Sequence, residues 1–161
     1  MTDSHLSVAA GSSPRRSAKR LHEVRVEIEV PFHDVDALQV VWHGHYYKYL
    51  EIARTELLRS RQLDTRSLHR LSVGLMVIES RCRYVSPLRY GDLFQVAAWF
   101  RDLRFRIMVE YEITNLAKGS RVARGHTALV TTTPDGAMHY RTPDSVLELL
   151  APHLLKGEEG S

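Results

Sequence analysis

FHDVDALQVVWHGHYYKYLEIARTELL, residues Phe32 to Leu58, joins a polar loop dense in ionisable groups to an amphipathic helix. Tyr46, Tyr49, Leu50, Ala53 and Leu57 recur at intervals of three and four, the spacing of one helical face. Glu51, Thr55 and Arg59 fall largely on the other side. The pattern predicts a helix from about His45 to Arg61. The loop carries two carboxylates, Asp34 and Asp36, and two histidines, His43 and His45, up to the helix start. A helix start offers backbone N–H groups with no partner inside the helix. Beside ionisable side chains, such groups suit the stabilisation of a developing oxyanion.

Outward from this stretch the pattern changes period. LHEVRVEIEV, residues 21–30, alternates at Val24, Val26, Ile28 and Val30, the signature of a half-buried strand that Pro31 ends. A polar stretch from Asp64 to Ser72 reads as a link to a second strand, Leu75 to Val85, stopped by Ser86-Pro87. Leu93 to Leu103 reads as a third strand. Arg104 to Asn115 alternates most cleanly, with Phe105, Ile107, Val109, Tyr111 and Ile113 on one face and Arg104, Arg106, Glu110 and Glu112 on the other. Ser120 to Thr133 is a fifth strand. Pro134-Asp135-Gly136 is turn chemistry, with a short return strand expected around Ala137 to Tyr140. Thr142 as N-cap and Pro143 in the first turn would open a C-terminal helix that runs to about Ala151 and closes at Pro152. One long helix followed by antiparallel strands is an α+β order, and that helix must cover the apolar face of the sheet.

A chain of 161 residues, 43% hydrophobic and 25% charged, fits one globular domain. It has no apolar run near membrane-spanning length and no internal repeat, so no membrane partner is expected. The formal net charge of +3 does not signal nucleic acid. Residues 1–20 carry Arg15, Arg16, Lys19 and Arg20 against Asp3, which alone gives +3, so residues 21–161 are formally neutral. Residues 1–20 read as a disordered basic tail, 21–155 as the folded domain and 156–161 as a flexible C-terminus. The lone Cys82 has no partner for an internal disulfide, which fits a reducing cytoplasm. No metal site is expected: His43 and His45 diverge at two residues apart, and no Cys/His cluster supplies further ligands.

The segment resembles the 4-hydroxybenzoyl-CoA thioesterase family of hot-dog-fold proteins. The resemblance rests on the pair Asp34/Asp36, the run Val40-Val41-Trp42-His43, Tyr46 ten residues after Asp36, and the helix Glu51-Ile52-Ala53-Arg54. It continues, more weakly, through VIESRCRYVSPLRYGDLFQV to about Thr133. It implies an antiparallel sheet wrapped around one central helix, and a homodimer or homotetramer with substrate at a subunit interface. It also implies an acyl-CoA thioesterase that needs no cofactor beyond the coenzyme A of its substrate. Thioesterase action on chains held by an acyl carrier protein is the alternative within enzymes, and a non-catalytic acyl-CoA-binding or scaffold protein the alternative outside them.

By the same resemblance Asp36 aligns with the catalytic aspartate, which would attack the thioester carbonyl or deprotonate a water. An isolated D-x-D pair would otherwise read as loop capping, and Asp34 is taken as the residue that orients the loop. The His43 backbone N–H is the expected oxyanion donor, with Trp42 or Gly44 contributing nearby, and the His43 side chain matches a histidine of bacterial relatives. Tyr46 is a substrate-binding candidate. Gln39 stands where many members have glycine, so its loop should not use positive φ freely, and its side chain is a candidate to contact the acyl group. Glu51 is a competing carboxylate on the helix, ranked below Asp36. Arg89 and Arg104 are candidates to hold coenzyme A phosphates, because guanidinium forks suit that geometry.

Overall fold

In the strand Ile107–Asn115, Ile107, Val109, Tyr111 and Ile113 are all buried, while the residues between them are half-exposed. That alternation gives the sheet one apolar face, and the rest of the fold is arranged to cover it. The computed structural model describes residues 20–155. Its strands are β1 (Leu21–Glu29), β2 (Gly74–Tyr84), β3 (Leu93–Asp102), β4 and β5 (Ser120–Thr132), with β4 spanning Ile107–Asn115. Its helices are α1 (His45–Ser60), α2 (Thr65–Arg70) and α3 (Asp144–Leu150). The expected tail, up to residue 19, and the expected flexible C-terminus lie outside the described residues. Arg20 does not belong to a tail. Its guanidinium sits 3.9 Å from the centre of the Trp99 ring and pairs with Glu23 at 2.9 Å.

The five strands form one antiparallel sheet in the order β1-β3-β4-β5-β2. Phe94, Val96, Ala98 and Phe100 of β3 point to the same side as the apolar row of β4 and are buried. Against them packs α1, with Tyr46, Tyr49, Leu50, Ala53 and Leu57 all buried, as its spacing predicts. The backbone approaches closely at Gly125 of β5. A Cβ there would lie 2.6 Å from the Arg81 carbonyl oxygen and 3.2 Å from Leu50 Cδ1. Only a residue without a side chain fits between β2 and the helix at this point.

Four local expectations are corrected. First, the link from Asp64 to Ser72 contains α2, which is too short to show a helical period. Both α1 and α2 end without glycine: Gln62 and Ser72 take positive φ, 60° and 55°. The Leu63 N–H then reaches the Leu58 carbonyl at 2.9 Å and the Val73 N–H reaches the Leu68 carbonyl at 3.1 Å, each bond closing a helix end with an apolar pair. Second, β4 starts at Ile107, and Phe105 sits in the preceding turn, 55% exposed and edge-on to Tyr140. Third, the cap of α3 falls on Pro143, one residue later than expected, because the Thr142 N–H donates to the Arg104 carbonyl at 2.8 Å. Fourth, the return after the Pro134 turn makes only one bridge, Thr132 to Met138.

Candidate active site

After β1, Pro31 opens a single 3-10 turn, Phe32–Asp34. Val35 and Val41 then bridge antiparallel, and the Asp36 N–H donates to the Val40 carbonyl at 2.9 Å. The Gln39 N–H donates back to the Asp36 carbonyl at 2.9 Å, closing a tight turn. Gln39 sits at φ 63°, the left-handed position that such turns usually give to glycine. The expectation that glutamine would bar positive φ here is therefore wrong. The turn's hydrogen bonds hold Gln39 there against a cost of about 1–2 kcal/mol.

Asp34 and Asp36 part company at this turn. The Asp34 carboxylate is buried and receives Lys48 Nζ at 2.6 and 2.7 Å and the Tyr49 hydroxyl at 2.5 Å. Burial pushes its pKa up, but hydrogen bonds from Lys48 and Tyr49 and the Lys48 charge outweigh burial and hold it below the ordinary carboxylate value. Its partners stand on the first turns of α1, so Asp34 ties the loop to the helix. Asp36 is half-exposed and accepts one bond, from the Leu38 N–H at 2.8 Å to Oδ1. Among the described residues no other group hydrogen-bonds its carboxylate.

The start of α1 carries no acidic side chain in its first turn, so the positive end of the helix dipole is not neutralised there. The His45 N–H folds back to the Trp42 carbonyl at 2.9 Å and the Tyr46 N–H to the His43 carbonyl at 3.4 Å. The Trp42 N–H donates to the Asp34 carbonyl at 3.1 Å. Trp42 is thus corrected as an oxyanion donor: its amide is already in use. The amides of His43 and Gly44 donate to no other described residue. The Trp42 ring lies over Gly44, where an added Cβ would come 2.2 Å from it.

Tyr46, expected to contact substrate, is only 3% exposed, and its hydroxyl accepts the Leu88 N–H at 3.3 Å. It is a core residue that fixes the segment after β2. The Val41 N–H binds the Leu88 carbonyl at 2.8 Å, so Arg89, next in the chain, lies at the same end of the sheet as Asp36. Arg104 does not. It follows the far end of β3, a strand of 10 residues that spans roughly 30 Å. Glu51 is exposed on α1. Tyr84, absent from the expected site, donates its hydroxyl to the His43 carbonyl at 2.7 Å. Its ring packs edge-on against Tyr46 at 4.9 Å. Only the alternation of β2 could have pointed to it, because Ser80, Cys82 and Tyr84 share a face there. Burial pushes the Cys82 thiol pKa up, which keeps it protonated and poorly nucleophilic.

A groove of about 930 Å³ lies toward the other end of α1. Glu51, Arg54 and Leu58 of the helix line one wall, and Leu75, Val77 and Leu129 the other. Neither Asp36 nor His43 reaches it. Among the described residues no group of three or more His, Cys, Asp or Glu could hold a metal, and no helix is long and apolar enough to cross a membrane.

A half-open carboxylate on the loop that leads into helix-start amides with no partner among the described residues is suited to acyl transfer. The family model of the thioesterase-like superfamily matches residues 30–150. The chain belongs to this superfamily. A Synechocystis protein with a provisional esterase name is 32% identical over 133 residues, 81% of this chain and 78% of that one. The acyl-CoA thioester hydrolase YbgC of Escherichia coli is 30% identical over 80 residues, half of this chain and 60% of that one. The crystal structure of a 4-hydroxybenzoyl-CoA thioesterase, solved with 4-hydroxybenzoyl-CoA, superimposes with a TM-score of 0.71. It covers 81% of this chain and 99% of that one at 16% identity, a likeness of fold. The superfamily match and this likeness identify the sheet wrapped around α1 as the hot-dog fold.

Proposed function

We propose that this thioesterase-superfamily protein hydrolyses acyl-CoA thioesters to a carboxylic acid and free coenzyme A, with Asp36 driving the attack. The observation that carries the reading is that one loop holds both a half-open Asp36 and the amides of His43 and Gly44, which have no partner among the described residues. In the hydrolytic step a water oxygen bonds to the thioester carbon while Asp36 Oδ2 takes its proton. The carbonyl oxygen gains negative charge and is received by the two amides at the positive end of α1. The tetrahedral intermediate then collapses, the C–S bond breaks, and the coenzyme A thiolate leaves and is protonated. His43, exposed beside that path, is the proposed proton donor to the sulfur. Direct attack by the Asp36 carboxylate would use the same oxyanion site.

The protein acts in the cytoplasm as a homodimer or homotetramer and needs no cofactor besides the coenzyme in its substrate. Supporting assembly, β2 is an edge strand whose Met76, Val77 and Ile78 are each about two-fifths exposed. Pairing of two β2 edges antiparallel would bring the Asp36 loop of one subunit toward the groove of its partner. Arg89 stands at the loop end, where it would meet a coenzyme phosphate. The test is a panel of short, long and aromatic acyl-CoA thioesters with carrier-protein thioesters alongside, read by thiol release, together with light scattering. Release from at least one acyl-CoA by an oligomer is expected. A wild-type protein that cleaves no thioester overturns the function, and an active monomer overturns the shared site.

A further inference from the structure

The His43 carbonyl accepts two donors, the Tyr84 hydroxyl at 2.7 Å and the Tyr46 N–H at 3.4 Å. The hydroxyl is the shorter by far. The N–H on the other side of that peptide bond belongs to Gly44, one of the two amides with no partner among the described residues. A peptide whose carbonyl accepts a strong hydrogen bond is polarised along its length, and its N–H becomes a stronger donor. The link is also rigid. The Tyr84 ring is held edge-on by Tyr46 and stands 6.3 Å from the His43 ring, and its backbone pairs with Ala123 in the sheet. The Trp42 ring covers the same peptide from the Gly44 side.

We infer that Tyr84 is a positioning residue for thioester hydrolysis, which fixes and polarises the His43–Gly44 peptide so that the Gly44 N–H receives the oxyanion. The role rests on the function proposed above. It extends the site from the loop and α1 to the edge strand β2, and it makes the hydroxyl of Tyr84, not its ring, the active part. Burial pushes the Tyr84 pKa up to about 12, so the hydroxyl keeps its proton, and the bond its direction, throughout the range in which a thioesterase works.

Tyr84→Phe keeps the ring and removes the donor. Loss of a direct oxyanion donor lowers kcat by about 10²–10³-fold; an indirect donor that strengthens that bond by about 10–30% should lower it about 2–8-fold when removed. KM should stay within about twofold and the fold should be retained, as read by circular dichroism. A second readout is spectroscopic. With a carbonyl-13C thioester bound to Asp36→Asn, the carbonyl stretch should be shifted down by the amide donors. In Asp36→Asn/Tyr84→Phe the band should move back toward its free position. An unchanged kcat with an unmoved band overturns the role, as does a change confined to KM, which would make Tyr84 a pocket wall. If the wild type cleaves no thioester at all, the proposed function fails and this role fails with it.

Discussion

Asp34 and Asp36 stand two residues apart on one loop, and their carboxylates face opposite conditions. Asp34 is buried with two cross-links to α1, whereas Asp36 is half-open with a single bond from its own turn. A buried, ion-paired carboxylate is closed off from a substrate and has no reason to change its charge. A half-open one is under neither constraint. The loop thus holds one carboxylate and leaves the other open: Asp34 ties the loop to the helix start, and Asp36 keeps Oδ2 free of partners among the described residues.

The sharpest way to break that division is to exchange the effects of the two residues. Asp36→Asn keeps size and turn but removes the charge, and should lower kcat on the best thioester by about 10²–10⁴-fold. Its melting temperature should stay close to wild type. Glu51→Gln should retain far more activity. A dead Glu51→Gln beside an active Asp36→Asn would move the catalytic acid onto the helix.

Asp34→Asn should do the reverse. Asn removes the charge that Lys48 and Tyr49 bind, and because the Lys48 side chain is 44% exposed and can turn to water, the cost is about 1–3 kcal/mol. Thermal or denaturant unfolding would measure it, and activity should fall only as far as the loop loosens. The effect should depend on pH in a known direction. The folded-state pKa of Asp34 lies below its usual 3.8. The stabilisation is therefore present above about pH 4 and is lost as pH falls through the lowered folded value. The gap between wild type and Asp34→Asn should narrow in that acid window. A gap that is flat down to pH 2 would show that packing, and not charge, is what Asp34 supplies.

The smallest expected effect is at Gln39, in the turn that carries Asp36. Glycine there would relieve the left-handed strain of about 1–2 kcal/mol but add unfolded-state freedom worth about 0.5–1 kcal/mol. Gln39→Gly should thus stabilise by up to about 1 kcal/mol in denaturant unfolding. A loss of stability would mean that the glutamine side chain holds the turn.

Much of this was legible because it is periodic. All five residues assigned to the buried face of α1 are buried there, and the row Ile107 to Ile113 is the inner face of β4. The features that escaped are set by backbone hydrogen bonds or by contacts across the chain. Gln62, Ser72 and Gln39 adopt positive φ without the glycine that would have announced it. Trp42 lost its place as an oxyanion donor to a carbonyl eight residues earlier. Arg104 was placed by residue type alone, which says nothing about which end of a strand a side chain occupies. Tyr84 meets His43 across 41 residues of sequence, and no spacing rule reaches that far.

The strand order also sets a timetable. β3, β4 and β5 follow one another as hairpins, whereas β2 pairs only with β5, as Ser80 with Thr127 across 47 residues. During synthesis, α1 and the Asp36 loop leave the ribosome long before the strand that gives β2 its place. The apolar face of α1 must wait for a sheet that is not yet made, and closing that separation is the slow, entropically costly part of the fold. Tyr84 rides on β2, so the same delay applies to the site: the helix start exists early, and the bond that orients it comes among the last.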